Sequence, residues 1–506
     1  MGSIRVAVGL FLLLLGACST GDAAAEQRRR DRADIKQTRG MELFARHCAA
    51  CHGTSGNADT FVAKLLRPQP AAFKHGLFKL ASTDNGVPTT ADLVATLRRG
   101  MPGSVMMSWD WLPEQDLQDL AREVQRLAIA GRAKDIARTS AIGGKPMTDE
   151  AATALAEQQL RAGATVEVGE PAIGGDRVLA AGQELFQRHC ATCHGKDGKG
   201  LPAARSLPTD GTWLWPRDFT SGYLRGGATA RDLTLRIRAG MPGAHMPPTV
   251  LSSPETQALV AFVRSLIPEH AHGHHVQWQR TFKVAKLDAL PEVDDEVAIN
   301  KLEAVRLPLA PLWWREGACD EVWLRIAHDG KDLLWQLQWQ DKTRDDRVRP
   351  SAPMGDGAAV QFATTNDPPL FAMGTAAEPV NVWRWHAFDP KETAGMADLF
   401  GGTHQGLDVA TGALQPRPRS ESVQLGGVGS ASDVTSNGLP ITTATKWQDG
   451  RWTVTFRRSL KARSDREVDL AERDTVRFAV AAWDGSIDRH AGSKAITTWH
   501  VLKLER

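Results

Sequence analysis

A stretch of fourteen residues occurs twice in this chain, the second copy roughly 140 residues after the first. Residues 40–53 read GMELFARHCAACHG and residues 182–195 read GQELFQRHCATCHG. The repeat runs on past this stretch: Phe73 and Gly76 match Phe219 and Gly222, and GMPGSVM at 100–106 matches GMPGAHM at 240–246. Each copy closes on apolar residues three and four apart, Leu117, Leu120, Val124 and Leu127 in the first, Leu259, Val263 and Leu266 in the second. Ser253 and Pro254 read as N-cap and first residue of that second closing helix. The pattern predicts two small all-α domains of about 90 residues, at 39–131 and 174–268.

The centre of each copy is Cys-x-x-Cys-His: Cys48, Cys51 and His52, then Cys190, Cys193 and His194. Two thiols three positions apart lie on one side of a helical turn. They can add to the two vinyl groups of one haem, while the next imidazole reaches the iron. The spacing therefore predicts two covalent c haems. A zinc site built from all four thiols, or a pair of redox disulfides, would leave the paired histidines and the repeat of whole domains unexplained. A six-coordinate electron-transfer iron also needs a distal ligand, and a thioether raises the potential. Alignment of the copies nominates Met106 and Met246. Met101 and Met241 compete from within the turn, and Met107 stands where the second copy has Pro247.

A chain of 506 residues needs several cores. Its net charge of +2 gives no electrostatic case for nucleic acid or an anionic bilayer as ligand. Arg5 followed by the apolar run 6–15 reads as an export signal, too short to span a bilayer. Leu15, Gly16, Ala17 and Cys18 resemble a lipobox, so 1–17 is expected to be removed and Cys18 acylated. Cleavage by an ordinary signal peptidase near Ala17 is the alternative. Acyl chains would tether the protein to a membrane through 18–38, with no spanning helix. By the bacterial sorting rule, Ser19 after the cysteine favours the outer membrane. The Ala- and Gly-rich stretch 132–173 reads as a linker, and so does 269–276 with His270, His272, His274 and His275, whose spacing specifies no metal geometry. Cys319 reads as a buried, inert thiol.

From residue 277 to 506 the texture changes, and twelve of the sixteen tryptophans lie there. Segments 322–326, 333–339, 360–362, 452–456, 476–483 and 496–502 alternate or run apolar between Asp, Gly and Pro, which predicts a mainly β sandwich. From residues alone this half could be a sugar-binding module, a structural docking domain or a further cofactor pocket. Most of its tryptophans are expected in the core.

Both repeats resemble class I cytochrome c domains across nearly all of their length, on CxxCHG, the GMPG turn, the methionine after it and the closing helix. In that fold the closing helix crosses the helix before CxxCH, which puts Phe44 and Phe186 on the crossing. The third region resembles the haem-binding γ subunits of ethylbenzene dehydrogenase and dimethylsulfide dehydrogenase. The pieces that carry this are VRLPL (305–309), LQWQD (337–341) with Thr343, GDGAAVQF (355–362), Met373 with Gly374, VNVWRWHA (380–387), WDGS (483–486) and SKAITTW (493–499). The resemblance implies one b haem held by a methionine and a lysine. Carried onto this chain these are Met373 and Lys494, with Lys461 and His386 as competitors. A ligating Lys494 has to be neutral, which burial favours.

The expectation is a periplasmic, lipid-anchored, trihaem electron-transfer subunit. Such γ subunits exchange electrons with a molybdopterin subunit through an iron-sulfur subunit, and the cytochrome domains would extend the wire to a soluble cytochrome or a quinol-linked partner. Two rivals stand beside it. A dihaem peroxidase requires an open iron position, against which the two aligned methionines argue. An anchored dihaem cytochrome with a sugar- or protein-binding sandwich predicts no third haem.

Overall fold

A computed structural model describes residues 38–169, 175–201, 215–269, 275–315, 317–346, 355–368, 373–387, 420–427, 432–433, 441–462, 464–486 and 494–506. The leader, Cys18, most of the tether, His270, His272 and His274 lie outside the described residues. Among the described residues no helix is long and apolar enough to cross a membrane.

The first repeat folds as helices α1 (Arg39–His47), α2 (Ala49–His52), α3 (Phe61–Lys64), α4 (Thr90–Arg99) and α5 (Glu114–Ile142). Gly40 is where α1 crosses α5: a Cβ there would lie 2.4 Å from the Asp119 carbonyl oxygen. Phe44 is buried one turn further on, with Leu120 and Val124 of α5 in the same core. After α6 (Asp149–Gln159), the second repeat follows the same plan with α7 (Asp176–His189), α8 (Ala191–His194), α9 (Ala230–Ala239) and α10 (Ser253–Leu266). Gly182 takes the place of Gly40, where a Cβ would meet the Ala258 carbonyl oxygen at 2.0 Å, and Phe186 is fully buried. Capping boxes start the matched helices α4 (Thr89 with Asp92) and α9 (Thr229 with Asp232). The cap of α10 is Ser252, one residue before Ser253, because Glu255 at the third helical position closes a box on Ser252.

The stretch 132–173 holds more regular structure than its composition conveys. Helix α5 continues to Ile142, and α6, capped by Thr148, folds back so that Ala152 and Ala156 pack on Ala133. Beyond α6 the chain is pinned to the first repeat, with Val166 N–H donating to Ser82 O at 2.7 Å. Alanine contacts bring helices close without the apolar contrast that periodicity detects.

The rest is two sheets over one core. The strands are β1 (Thr281–Val284), β2 (Val305–Pro308), β3 (Ala310–Pro311), β4 (Glu321–His328), β5 (Asp332–Gln340), β6 (Gly357–Ala363), β7 (Val380–His386), β8 (Ser420–Leu425), β9 (Ser432–Asp433), β10 (Thr442–Gln448), β11 (Arg451–Ser459), β12 (Thr475–Trp483), β13 (Lys494–Ile496) and β14 (His500–Leu504). One sheet runs β1-β14-β12-β6-β7-β8-β9, with β13 joining β12 to β3; the other runs β10-β11-β5-β4-β2. The predicted strand 496–502 is broken at 497–499, so its two ends become β13 and β14. Trp335, Trp339, Trp383, Trp385 and Trp452 fill the shared core with Phe362, Phe456 and Phe478. Truncating one such ring to alanine costs about 3–5 kcal/mol.

The larger sheet is apolar on its other face as well. Ala359, Ala363, Val380, Val382, Val423, Leu425, Ala479 and Trp499 form a second patch there. The first repeat docks beside it. Arg46 of α1 pairs with Asp367 at 2.7 Å and Glu378 at 3.0 Å, Arg477 lies over the Trp111 ring, and Thr498 Oγ1 donates to Met107 Sδ at 3.1 Å. A backbone seam continues the contact: Arg67 N–H donates to Leu312 O at 2.8 Å, Trp314 N–H to Arg67 O at 2.7 Å, and Trp313 Nε1 to Leu65 O at 2.8 Å.

Candidate redox centres

At the first centre α1 ends where Cys48 leaves helical geometry, its N–H still donating to Phe44 O. The single turn of α2 then carries Cys51 and His52, and Gly53, at φ 73°, turns the chain away. Burial pushes both thiols up to about 12. His52 Nδ1 bonds Ala71 O at 2.9 Å, and its ring stacks on Phe73 at 4.7 Å between centroids. A backbone carbonyl on Nδ1 fixes that nitrogen as the protonated one and leaves Nε2 its lone pair.

The second centre repeats this geometry. Cys190 N–H donates to Phe186 O, α8 carries Cys193 and His194, and Gly195 has φ 73°. His194 Nδ1 bonds Arg217 O at 3.3 Å and the ring stacks on Phe219 at 4.6 Å. Arg217 holds the position that Ala71 holds in the first copy. Burial raises Cys190 to about 11, whereas Cys193 is exposed.

Each CxxCH faces a cavity closed by its own GMPG turn. The first, about 1190 Å³ with its mouth, is lined by Cys48, Cys51, His52, Met101, Met106 and Met107 among others. The second, about 1380 Å³, is lined by Cys190, Cys193, His194, Met241 and Met246. The turns close alike, Met101 N–H donating to Met106 O and Met241 N–H to Met246 O, each at 2.8 Å. Gly100 and Gly240, at φ 71° and 70°, have no room for a side chain against these turns. Of the competing pair in the first copy, the Met107 sulfur takes the Thr498 hydroxyl. The four thiols lie in two separate cavities, so a single tetrahedral zinc site has nowhere to form. Both cavities are apolar slots with a neutral imidazole and thioethers in their linings, a donor set that fits a flat macrocycle with a redox iron.

The third candidate lies on the outer patch of the larger sheet. Met373 packs against that patch, as does Trp483, and Lys494 Nζ sits 5.1 Å over the Trp483 ring. Lys494 pairs with Trp483 in the β12–β13 register, and its carbonyl accepts from Leu312 N–H at 2.8 Å. Burial, with Arg384 as a second cause, lowers Lys494 to about 8, which makes a neutral amine accessible. His386 lies on the same sheet, its ring 6.5 Å from Trp483. Lys461 is exposed beyond the end of β11, in the other sheet.

Three of the sequence pieces share a second contact. LQWQD, GDG and WDGS bring Asp341, Asp356 and Asp484 together at one corner, with carboxylate oxygens within 4.8 Å of one another. Asp356 accepts from Trp452 Nε1 at 2.9 Å and from the N–H groups of Asp345 and Gly485, so this corner is a polar pin between the sheets. Burial, then the neighbouring carboxylates, push Asp341 up. Cys319, its thiol raised by burial, donates to Glu321 O at 3.6 Å. His275 stacks on Tyr223 and bonds Ser221 O at 3.1 Å.

Sequence reasoning missed the arginines of the second cavity, Arg217, Arg225 and Arg236. One signal was available: counted from Phe73 and Phe219, Arg225 aligns with Lys79, which lines the first cavity.

Comparison with known families divides the chain as its geometry does. Residues 179–266 match the cytochrome c family, 36–122 match cytochrome c oxidase, cbb3-type, subunit III, and 310–495 match ethylbenzene dehydrogenase. The matches run in the order of the fold, two cytochrome segments followed by an ethylbenzene dehydrogenase-type segment. Relatives of this chain include a haem subunit attributed to respiratory nitrate reductase in Haloferax mediterranei, 27% identical over 42% of this chain and 67% of the relative. The dimethylsulfide dehydrogenase γ subunit of Rhodovulum sulfidophilum is 28% identical over 36% of this chain and 59% of its own length. The chlorate reductase γ subunit of Ideonella dechloratans is 30% identical over 34% and 60%. The chain thus spans about three fifths of each of these two γ subunits.

Proposed function

We propose that this fusion is a multihaem electron-transfer subunit, with haem c on Cys48, Cys51 and His52, haem c on Cys190, Cys193 and His194, and one haem b between Met373 and Lys494. Met106 and Met246, in the linings of the two cavities, would be the distal ligands of the c haems. The haems, when bound, supply iron that passes between ferrous and ferric forms. The observation that carries the reading is the duplicated construction: thiols, a carbonyl-held imidazole, a stacked phenylalanine and a methionine turn surround a cavity twice.

The protein's own residues hold these groups still. Ala71 O and Arg217 O orient the two proximal imidazoles, and the glycines before each turn keep it tight against the cavity. Thr498 occupies the Met107 sulfur, which leaves Met106 for the iron. Burial lowers the Lys494 ammonium toward the neutral amine that a metal ligand requires. The residues that would hold the b haem and the first c haem are joined through β3: Cys51, Leu66 and Val105 of the first cavity pack on Ala310, which pairs with Ile496 two residues from Lys494. The order along the wire is therefore b haem, first c haem, second c haem.

The partner is a molybdopterin and iron-sulfur oxidoreductase, supported by the γ-subunit relatives, with a soluble cytochrome or quinol-linked carrier at the other end. The compartment is the periplasm, with Cys18 as the lipid anchor to a membrane, the outer one by its Ser19. A denatured pyridine haemochrome spectrum tests the haem set, with c and b haem expected at two to one. Lys494→Ala and Met373→Ala each lose the b signal and keep the c signal; full b haem in both variants refutes the sandwich site.

A further inference from the structure

The two cytochrome cavities are not independent rooms. Gly243 N–H of the second GMPG turn donates to Phe78 O at 3.1 Å, and Phe78 lines the first cavity. Arg236, from the lining of the second cavity, reaches across with Nη2 to Ala81 O at 2.7 Å. Arg225 lies at this junction and lines both cavities, so the second domain contributes a side chain to the first domain's site.

Arg225 has no protein counter-ion among the described residues. Its Nε is buried with no acceptor, and burial alone pushes its guanidinium down to about 10. The carboxylates at the junction act on its other arginines: Asp92 and Asp232, which also cap α4 and α9, raise Arg236, and neither acts on Arg225. The other arginines at the junction add positive charge. Arg236 Nε and Nη1 are also buried without acceptors, and Arg217 lies over the Trp314 ring. A desolvated guanidinium with no anion is costly, and a fold that keeps one has an anion arriving from outside the polypeptide. A guanidinium carries five donors in a planar fork, enough for two carboxylates at once.

We propose that Arg225 is the shared counter-cation of the two c haems, its fork taking a propionate carboxylate from the macrocycle in each cavity. This rests on the reading that both CxxCH segments carry haem. A cation placed between two irons favours the reduced form of each, so one side chain sets both potentials together.

The test is a spectroelectrochemical titration of the full chain with its haems, wild type against Arg225→Gln. Both c midpoints are expected to fall by about tenfold in the reduction equilibrium, 59 mV for a one-electron couple. Covalent c haem content stays at the wild-type value, because the thioether links do not involve this residue. Arg225→Lys, which keeps the charge but loses the fork, shifts both midpoints in the same sense by less, and it serves where the glutamine variant does not accumulate. Arg122→Gln, at an exposed ion pair on α5, moves neither. A shift confined to one c haem, or none at all, with both haems in place overturns the proposal. A wild-type chain lacking two covalent haems refutes instead the haem reading beneath it.

Discussion

The two cytochrome domains share their local chemistry and differ in their surroundings. In the first, both thiols are buried, the cavity wall continues into the β half through Leu66, Val105 and Ala310, and Thr498 reaches in to the Met107 sulfur. In the second, Cys193 is exposed and Trp215 on the cavity wall is 47% exposed. A duplicated motif thus sets what each centre can be, while docking decides which one is interior. The enclosed first centre suits an internal relay, and the open second centre suits exchange with an outside partner.

Removing the proposed distal ligands is the strongest way to break this comparison. Met106→Ala and Met246→Ala should each open an iron to carbon monoxide, read as a new absorption band in the reduced protein. Entry at the first centre should be about tenfold slower than at the second, roughly 1.4 kcal/mol more for the opening it requires. Equal rates would mean that enclosure by the β half has no consequence.

Acid should sharpen the contrast next. His500 is buried among Phe282 and Phe478, its Nδ1 accepts from Arg280 N–H, and burial, with Arg280 as the lesser cause, lowers it to about 3. A histidine whose folded pKa is depressed stabilises the fold fully above its unfolded value near 6.5. Below that the unfolded chain takes the proton and the folded one does not, so stability falls by about 1.4 kcal/mol per pH unit until the folded value is reached. Tryptophan fluorescence in denaturant should therefore show the β half weakening from pH 6.5 toward 3, with the first c haem becoming accessible before the second. His500→Gln should flatten that slope.

The helix crossings test the symmetric part of the comparison. Gly182→Ala and Gly40→Ala each force a methyl into a carbonyl oxygen, at 2.0 Å and 2.4 Å, and should cost about 1–3 kcal/mol by thermal unfolding followed at the haem bands. The first domain, braced by the β half, should lose its haem band at the higher temperature of the two. The smallest expected effect is Thr498→Val, which removes one donor to Met107 and should cost about 0.5–1.5 kcal/mol at the first centre while leaving the second unchanged.

What could be read from the sequence follows the range of the chemistry. Thioether attachment fixes Cys, Cys and His within five positions, so both centres are legible from the chain alone, and the GMPG turns follow from the repeat. Strands β4, β5, β11 and β12 are legible because their tryptophans and valines sit between Asp and Gly turns. The helix of residues 149–159 is not, because alanine packing leaves no period. The motif pieces around Asp341, Asp356 and Asp484 read as signs of a haem domain, and they meet as a pin between the sheets, one residue along from Trp483, over whose ring Lys494 sits. Arg225 was legible only in part: the repeat aligns it with Lys79 of the first cavity, but its place between two cavities is made by two domains packing together, which no local pattern records.

The account stands on covalent haem at both duplicated segments. Intact-mass measurement of the exported, denatured chain tests that directly: the polypeptide should carry the added mass of two haem groups that survive denaturation. A denatured chain with the mass of the bare polypeptide, or of one haem only, would contradict it.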